Sequence, residues 1–335
     1  MEAWWVDEPG PIASHPLKGG QKPDPKPGPG ELLIAVRTCG VCRTDLHLAE
    51  GDLQPHAQQV IPGHEVVGEV IESGEGTTKF RPGDRVGAAW LGWTCGSCRF
   101  CTSDRENLCL QPRFTGWDFD GGYAELTVVH QDYAYRVPDV FTNEQAAPLL
   151  CAGIIGYRAL RSSALPAGGR LGIYGFGGSA HLAAQIAIFE GASVFVMTRS
   201  ENAQKLAKEL GASYAGDAET TPPELLDAAI LFAPSGDLVP PALQALDRGG
   251  TLAIAGIHLS SIPSLNYSKD LFHERSIRSV TANTRKDGEE FLAIASRIPL
   301  QPTTTVYQLS SANDALLDLA EGRIVGAGVL KVSGQ

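Results

Sequence analysis

Between residues 60 and 137 apolar and polar positions alternate in short runs, among them PGHEVVGEVIESG and GGYAELTVVHQDYAYRV, each bounded by Gly or Pro. Period-two alternation over roughly 4–8 residues predicts half-buried strands joined by turns. ELLIAVRT, from residue 31, predicts one more strand, whereas residues 9 to 30 are dense in Pro and Gly and read as extended loop. The first part of the chain is therefore expected to be β-rich.

The pattern changes near residue 145. AAPLLCAGIIGYRALR has helical spacing, and an alternation of apolar strands and amphipathic helices follows. RLGIYGF, SVFVMT, AAILFA and GTLAIAGI predict strands; SAHLAAQIAIFEG, ENAQKLAKELG and LVPPALQALD predict the helices between them. Such alternation predicts a parallel, doubly wound α/β sheet. Beyond about residue 285 two further helical patterns lead to IVGAGVLKV, a predicted strand. There is no internal repeat and no low-complexity tract.

Composition narrows the possible roles. A chain of 335 residues suffices for roughly two domains, and 43 % apolar with 19 % charged residues suits a folded chain. A formal charge of -11 argues against nucleic acid or an anionic membrane as partner. No apolar run approaches the ~20 residues of a membrane span. MEAWWVDEPG lacks a basic stretch leading into an apolar core, so no secretory signal is expected and the cytoplasm is the expected compartment. Seven cysteines there would be ligands or bystanders sooner than disulfides.

GIYGFGGSAH puts Gly175, Gly177 and Gly178 where a predicted strand turns into a helix, with Ala180 at the third fingerprint position. Residues without Cβ let a pyrophosphate approach the backbone at a helix N-terminus. The next strand would usually end in an acid that binds the ribose 2′-hydroxyl of NAD. VFVMTRSEN instead offers Thr198 and Arg199. A guanidinium pairs well with phosphate, so NADP(H) is expected over NAD(H).

TCGSCRFCTSDRENLC carries Cys95, Cys98, Cys101 and Cys109. Four thiolates at this spacing can close a tetrahedral structural zinc site, with an iron–sulfur cluster as the competing possibility. TCGVCRTDLH adds Cys39 and Cys42; a redox dithiol would want a thioredoxin-like setting, which is absent. His64 and Glu65 lie between turns in IPGHEVVG, and Cys151 lies where the two patterns meet. A catalytic zinc needs about three protein ligands and one open position, but spacing alone does not unite residues so far apart.

CGVCRTDLH, PGHEVVGEV, the four-cysteine lobe, PLLCAG and GFGGSAH occur in the order found in the medium-chain zinc-dependent alcohol dehydrogenases, bacterial type, and the resemblance spans nearly the whole chain. It implies a β-rich GroES-like catalytic domain over 1–150 and 285–335 and a Rossmann cofactor domain over 151–284. It implies two zinc ions per chain: a catalytic one at Cys42, His64 and Cys151, with Glu65 beside it, and a structural one at Cys95, Cys98, Cys101 and Cys109. Asp45 would orient His64, Thr44 and His47 would relay the alcohol proton, and Arg43 would face the cofactor pyrophosphate. Cys39 matches no ligand.

The implied activity is reversible hydride transfer between a primary or secondary alcohol, or its aldehyde or ketone, and a nicotinamide cofactor. Trp90 matches an aromatic pocket wall, and Leu53 stands where many relatives have Trp, so a wider pocket is expected. The chain departs from the family at Thr198–Arg199, at Ile155, where relatives often have Thr, and at Ala327, where many have Arg. A polyol dehydrogenase of the same fold and a non-catalytic nucleotide-binding scaffold are the alternatives. A homodimer or homotetramer is expected, with a small-molecule alcohol or aldehyde as partner.

Overall fold

Glu31–Val41 is the strand around which the first part of the chain is built. Most of its positions are buried, including Leu32, Ile34, Val36, Cys39 and Val41, because both faces of the strand are covered. One edge pairs with Val66–Ser73, and the other pairs first with Leu126–His130 and then with Ala327–Lys331. Arg85–Ala88, Ala134–Arg136 and Thr304–Gln308 complete the sheet, antiparallel except where Thr304–Gln308 meets Ala327–Lys331.

This computed structural model describes residues 1–332, in two compact units. The first comprises Met1–Cys151, Ala282–Ser296 and Pro302 onward; the second comprises Ala152–Thr281 and Arg297–Gln301. Cys151 thus falls one residue beyond the expected boundary at 150, and residues 282–284 also join the first unit. Residues 297–301, expected in the first, join the second because one side chain straps them there. Gln185 Oε1 accepts from Gln301 N at 2.8 Å and Gln185 Nε2 donates to Gln301 O at 3.2 Å.

The second unit is a six-stranded parallel sheet: β1 (Arg170–Tyr174), β2 (Ser193–Met197), β3 (Tyr214–Gly216), β4 (Leu226–Leu231), β5 (Leu246–Ile254) and β6 (Ser276–Ser279). Their spatial order is β3-β2-β1-β4-β5-β6. The chain runs outward in both directions from β1, so the carboxyl ends of β1 and β4 flank the crevice where doubly wound sheets take ligands. Gly156, in the helix Ala152–Ser162, lets that helix approach Gly178–Phe189: a Cβ there would come 2.7 Å from Ser179 O.

Several elements differ from the sequence expectation, each for a local reason. The helix expected through AAPLLCAGIIGYRALR is broken: Ala147–Leu150 is a 3-10 turn, and Cys151 (φ -126, ψ -69) interrupts it before Ala152. Residues 9 to 30 are not all loop, since Leu17–Gln21 pairs with Glu2–Val6. Gly19 makes this possible, as a Cβ there would collide with the Trp4 ring at 2.6 Å. β3, β6 and Thr304–Gln308 carry no apolar alternation that would announce them, and all four residues of β6 are exposed. Among the described residues no helix is long and apolar enough to cross a membrane.

His181, in the first turns of Gly178–Phe189, is fully buried with Nδ1 3.2 Å from Gly177 O. Burial pushes its pKa down from 6.5 to about 4. The unfolded chain therefore takes up this proton first as the pH falls, and stability from the neutral ring is present above about 6.5 and lost as the pH falls toward 4. At about 1.4 kcal/mol per pH unit that is on the order of 3 kcal/mol. His181→Gln should flatten the decline of stability between pH 6.5 and 4 in denaturant titrations; an unchanged slope would show that this ring is not the group responsible.

Candidate metal centres and cofactor turn

The sheet delivers Cys42 to the site. It follows the strand Glu31–Val41 and precedes the helix Arg43–Glu50, whose third residue is Asp45. Asp45 Oδ2 accepts from Cys42 N at 2.9 Å, capping that helix, while Oδ1 accepts from Gly63 N at 3.0 Å. One carboxylate therefore fixes the chain at Cys42 and at the residue before His64, and His64 Nδ1 lies 3.3 Å from Oδ1. The break at Cys151 brings its Sγ to 3.9 Å from Cys42 Sγ and 3.3 Å from His64 Nε2. Glu65 completes the group: one donor atom from each of Cys42, His64, Glu65 and Cys151 lies within 4.8 Å of every other. Gly40 makes room for it, because a Cβ at that position would overlap the Glu65 carboxylate.

The electrostatics show a cluster short of positive charge. Cys151 and then His64 hold the Cys42 thiol well below its usual range. Cys151 is pushed well up because Cys42 takes the thiolate role first and burial adds to it. Burial, and next the Cys42 charge, raise Glu65 well above the carboxylate range. Burial alone would lower His64, but Asp45 and Cys42 outweigh it and hold the ring well above its usual value. Two thiols, an imidazole and a carboxylate packed this closely suit a divalent cation, and the two-cysteine, one-histidine set suits zinc. Cys39 is not among the donors. It is buried in the core behind the site, and burial pushes its thiol up.

The other residues singled out from the sequence lie as follows. Thr44 is buried, its Oγ1 3.7 Å from Cys42 Sγ. His47, three residues on and hence on the same helix face, has Nδ1 3.0 Å from Asp52. Arg43 is exposed and donates from Nη2 to Leu319 O at 3.4 Å. Leu53 is half-buried and donates its N–H to His47 O at 3.0 Å. Trp90 stands edge-on to His64, with centroids 4.9 Å apart at 70°.

Sequence reasoning missed what supports Trp90. Phe114 stacks on it at 4.7 Å and Trp117 at 5.9 Å, and His56 stacks on Trp117 at 4.1 Å. Asp118 accepts from Phe114 N at 2.7 Å and pairs with His56 Nδ1 at 2.7 Å. RFTGWDF carries no period and no ligand spacing, so nothing in it announced an aromatic stack.

The four-cysteine lobe is equally tight. Cys95–Cys101, Cys98–Cys101 and Cys95–Cys109 sulfurs are 3.9, 3.6 and 3.6 Å apart. A tetrahedron built on Zn–S bonds of about 2.3 Å has edges of about 3.8 Å. Thiolates that each bind a separate iron of a cluster stand much farther apart, so the spacing fits one ion. Backbone N–H groups of Cys95, Cys98 and Gln111 point at these sulfurs, each at 3.4 Å. Glu106, within the lobe, accepts from Arg285 N at 3.0 Å and Nε at 3.3 Å, tying it to the helix Arg285–Ala295.

In the second unit Gly175 follows β1 with φ +84, and a Cβ there would come 2.9 Å from Ala233 N. Beside Gly177 the space is open, so a phosphate could approach that backbone and the helix N-terminus at Gly178. Ala180 is buried. At the end of β2 Thr198 is buried and bonded through its N–H to Gly216 O at 2.9 Å, whereas Arg199 is exposed. Ile155 is half-buried in Ala152–Ser162, and Ala327 is buried at the start of its strand.

Comparison with known proteins agrees with this arrangement. Residues 28–139 match the alcohol dehydrogenase GroES-like domain, and residues 178–297 match the zinc-binding dehydrogenase model. A probable alcohol dehydrogenase, AdhA, of Mycobacterium tuberculosis is 58 % identical over 99 % of this chain and 97 % of its own length. The structure of a thermostable alcohol dehydrogenase from Pyrobaculum aerophilum with cobalt and zinc bound superposes with a TM-score of 0.89, at 26 % identity over 99 % of both chains. A CAD from Helicobacter pylori, complexed with NADP(H), gives 0.86 at 26 % identity over 98 % of this chain and 97 % of that one. With a GroES-like sheet, a parallel nucleotide-binding sheet and a Cys–His–Cys donor set, the chain belongs to the medium-chain zinc-dependent alcohol dehydrogenase family.

Proposed function

We propose that this dehydrogenase interconverts primary or secondary alcohols and their carbonyl compounds, with NADP(H) favoured over NAD(H) and two zinc ions per chain. The reading is carried by the convergence of Cys42, His64 and Cys151 donor atoms within 4.8 Å of one another. Held there, zinc would supply a Lewis acid that polarises the substrate oxygen and lowers its pKa. The four-cysteine lobe would hold the second ion with no open position, fixing a loop without entering the chemistry.

The protein's own groups divide the remaining work. Asp45 sets the tautomer and orientation of His64. Thr44 takes the hydroxyl proton of the alcohol, and His47, one turn along the same helix face, passes it to solvent with Asp52 steadying its Nδ1. Glu65 would offer the ion a fourth donor. Trp90, braced by Phe114 and Trp117, walls the substrate side of His64, and Leu53 leaves more room than Trp would. Support for NADP(H) is the exposed guanidinium of Arg199 where an acid would repel a 2′-phosphate, together with the NADP(H)-bound relative.

Metal analysis should return two zinc ions per chain. Cys151→Ser should lose one zinc together with activity, whereas Cys98→Ser should lose the other and lower the melting temperature. One zinc in the parent protein, kept by Cys151→Ser and lost by Cys98→Ser, would exclude the proposed centre. Arg199→Ala should reduce kcat/KM for NADPH about tenfold and leave NADH nearly unchanged, as expected from losing one phosphate contact of about 1.4 kcal/mol; an unaltered cofactor ratio would remove Arg199 from that role. Thr44→Ala and His47→Ala should each lower kcat and reshape its pH profile, and unchanged kinetics in both would refute the relay.

A further inference from the structure

Tyr123 lies wholly inside the first unit, yet its phenolic oxygen meets no hydrogen-bond partner among the described residues. An unpaired buried hydroxyl costs about 1–3 kcal/mol, and protein interiors generally satisfy such groups with an ordered water. The ring has little freedom. Gly121 N, Gly122 N and Tyr123 N donate to Ile61 O, Gly63 O and Pro62 O at 2.7, 2.9 and 3.0 Å, locking the two segments together. The ring packs against Gly63, where a Cβ would come 2.5 Å from Tyr123 Cδ1 and 2.7 Å from Cys39 Sγ.

Gly63 is also the residue whose N–H Asp45 holds. A carboxylate offers about four acceptor sites. Asp45 gives Oδ2 to Cys42 N and Oδ1 to Gly63 N; reserving a further site for His64 Nδ1, 3.3 Å from Oδ1, leaves one. Burial first, and the Asp45 charge next, hold the Tyr123 phenol well above its usual pKa, so the hydroxyl keeps its proton and is available to donate.

We propose that Tyr123 is a positioning residue for His64: through one buried water its phenol donates to the last acceptor site of Asp45 and steadies the carboxylate that orients the imidazole. The inference rests on the reading of Cys42, His64 and Cys151 as zinc ligands. It gives a fully buried hydroxyl behind the metal centre a partner and a purpose that packing alone does not supply.

The test is zinc release from the holoenzyme to a chromophoric chelator, with the four-cysteine zinc as internal reference. Tyr123→Phe keeps the ring and removes the donor. It should release one of the two ions about tenfold faster, in the range seen when partners of metal ligands are removed. The other ion and the melting temperature should not change, and Tyr123→Phe added to Asp45→Asn should be no faster than Asp45→Asn alone. Parental release from Tyr123→Phe, beside faster release from Asp45→Asn, would overturn the proposal. Loosening of both ions with a lowered melting temperature would also overturn it, making Tyr123 a packing residue. A parent protein without zinc at Cys42, His64 and Cys151 would instead defeat the underlying reading and this inference with it. A high-resolution crystal structure gives a second check: it should show a water within about 3.2 Å of both Tyr123 Oη and Asp45, and a direct bond elsewhere from the phenol would sink the idea.

Discussion

Two thiols, an imidazole and two carboxylates, at Cys42, Cys151, His64, Glu65 and Asp45, crowd together, with Asp45, His64 and Glu65 buried and the two thiols half-buried. Burying several anionic groups together is prohibitive unless a cation or a set of protons compensates them. The protons are what the chain uses by itself: Cys42 is held low while its neighbour Cys151 is pushed up, and burial pushes the Glu65 carboxyl up as well. A divalent ion at these donors would remove the need for them.

The sheet of the first unit answers that constraint. The strand Glu31–Val41 ends at Cys42, the paired segments 61–63 and 121–123 fix the approach to His64, and the helical break at Cys151 aims the last thiol inward. Asp45 works on two of these at once, capping a helix and holding Gly63 N. The space is made by residues lacking a side chain: Gly40 leaves room for the Glu65 carboxylate, and Gly63 leaves room for the Tyr123 ring. Packing of this kind holds the donor atoms in place, which would limit the ordering that binding a metal costs in entropy.

The two strand textures and the glycine turn were legible in the sequence because each has a period or a residue type that physics restricts. Apolar alternation announced Val66–Ser73, and the parallel strands followed from continuous apolar runs such as LGIY and VFVM. The four-cysteine lobe was legible from spacing alone. The donor set Cys42, His64 and Cys151 was not, since no periodicity links positions so distant, and only the resemblance joined them. Local structure hid the rest. The helix break at Cys151 lies inside a run whose apolar spacing is helical on both sides, and the exposed strand Ser276–Ser279 has no buried face to mark it. The stack of Trp90, Phe114, Trp117 and His56 is assembled from segments far apart in sequence, and the phenol of Tyr123 reads as ordinary core until its burial and missing partner are seen.

The central claim is that three residues far apart in sequence grip one ion. Anomalous diffraction from crystals of the purified protein, collected on either side of the zinc absorption edge, tests it most directly. The account predicts two zinc peaks per chain, one enclosed by the four sulfurs of residues 95, 98, 101 and 109, and one bonded to Cys42 Sγ, His64 Nε2 and Cys151 Sγ. A single peak, confined to the four-cysteine lobe, would contradict it.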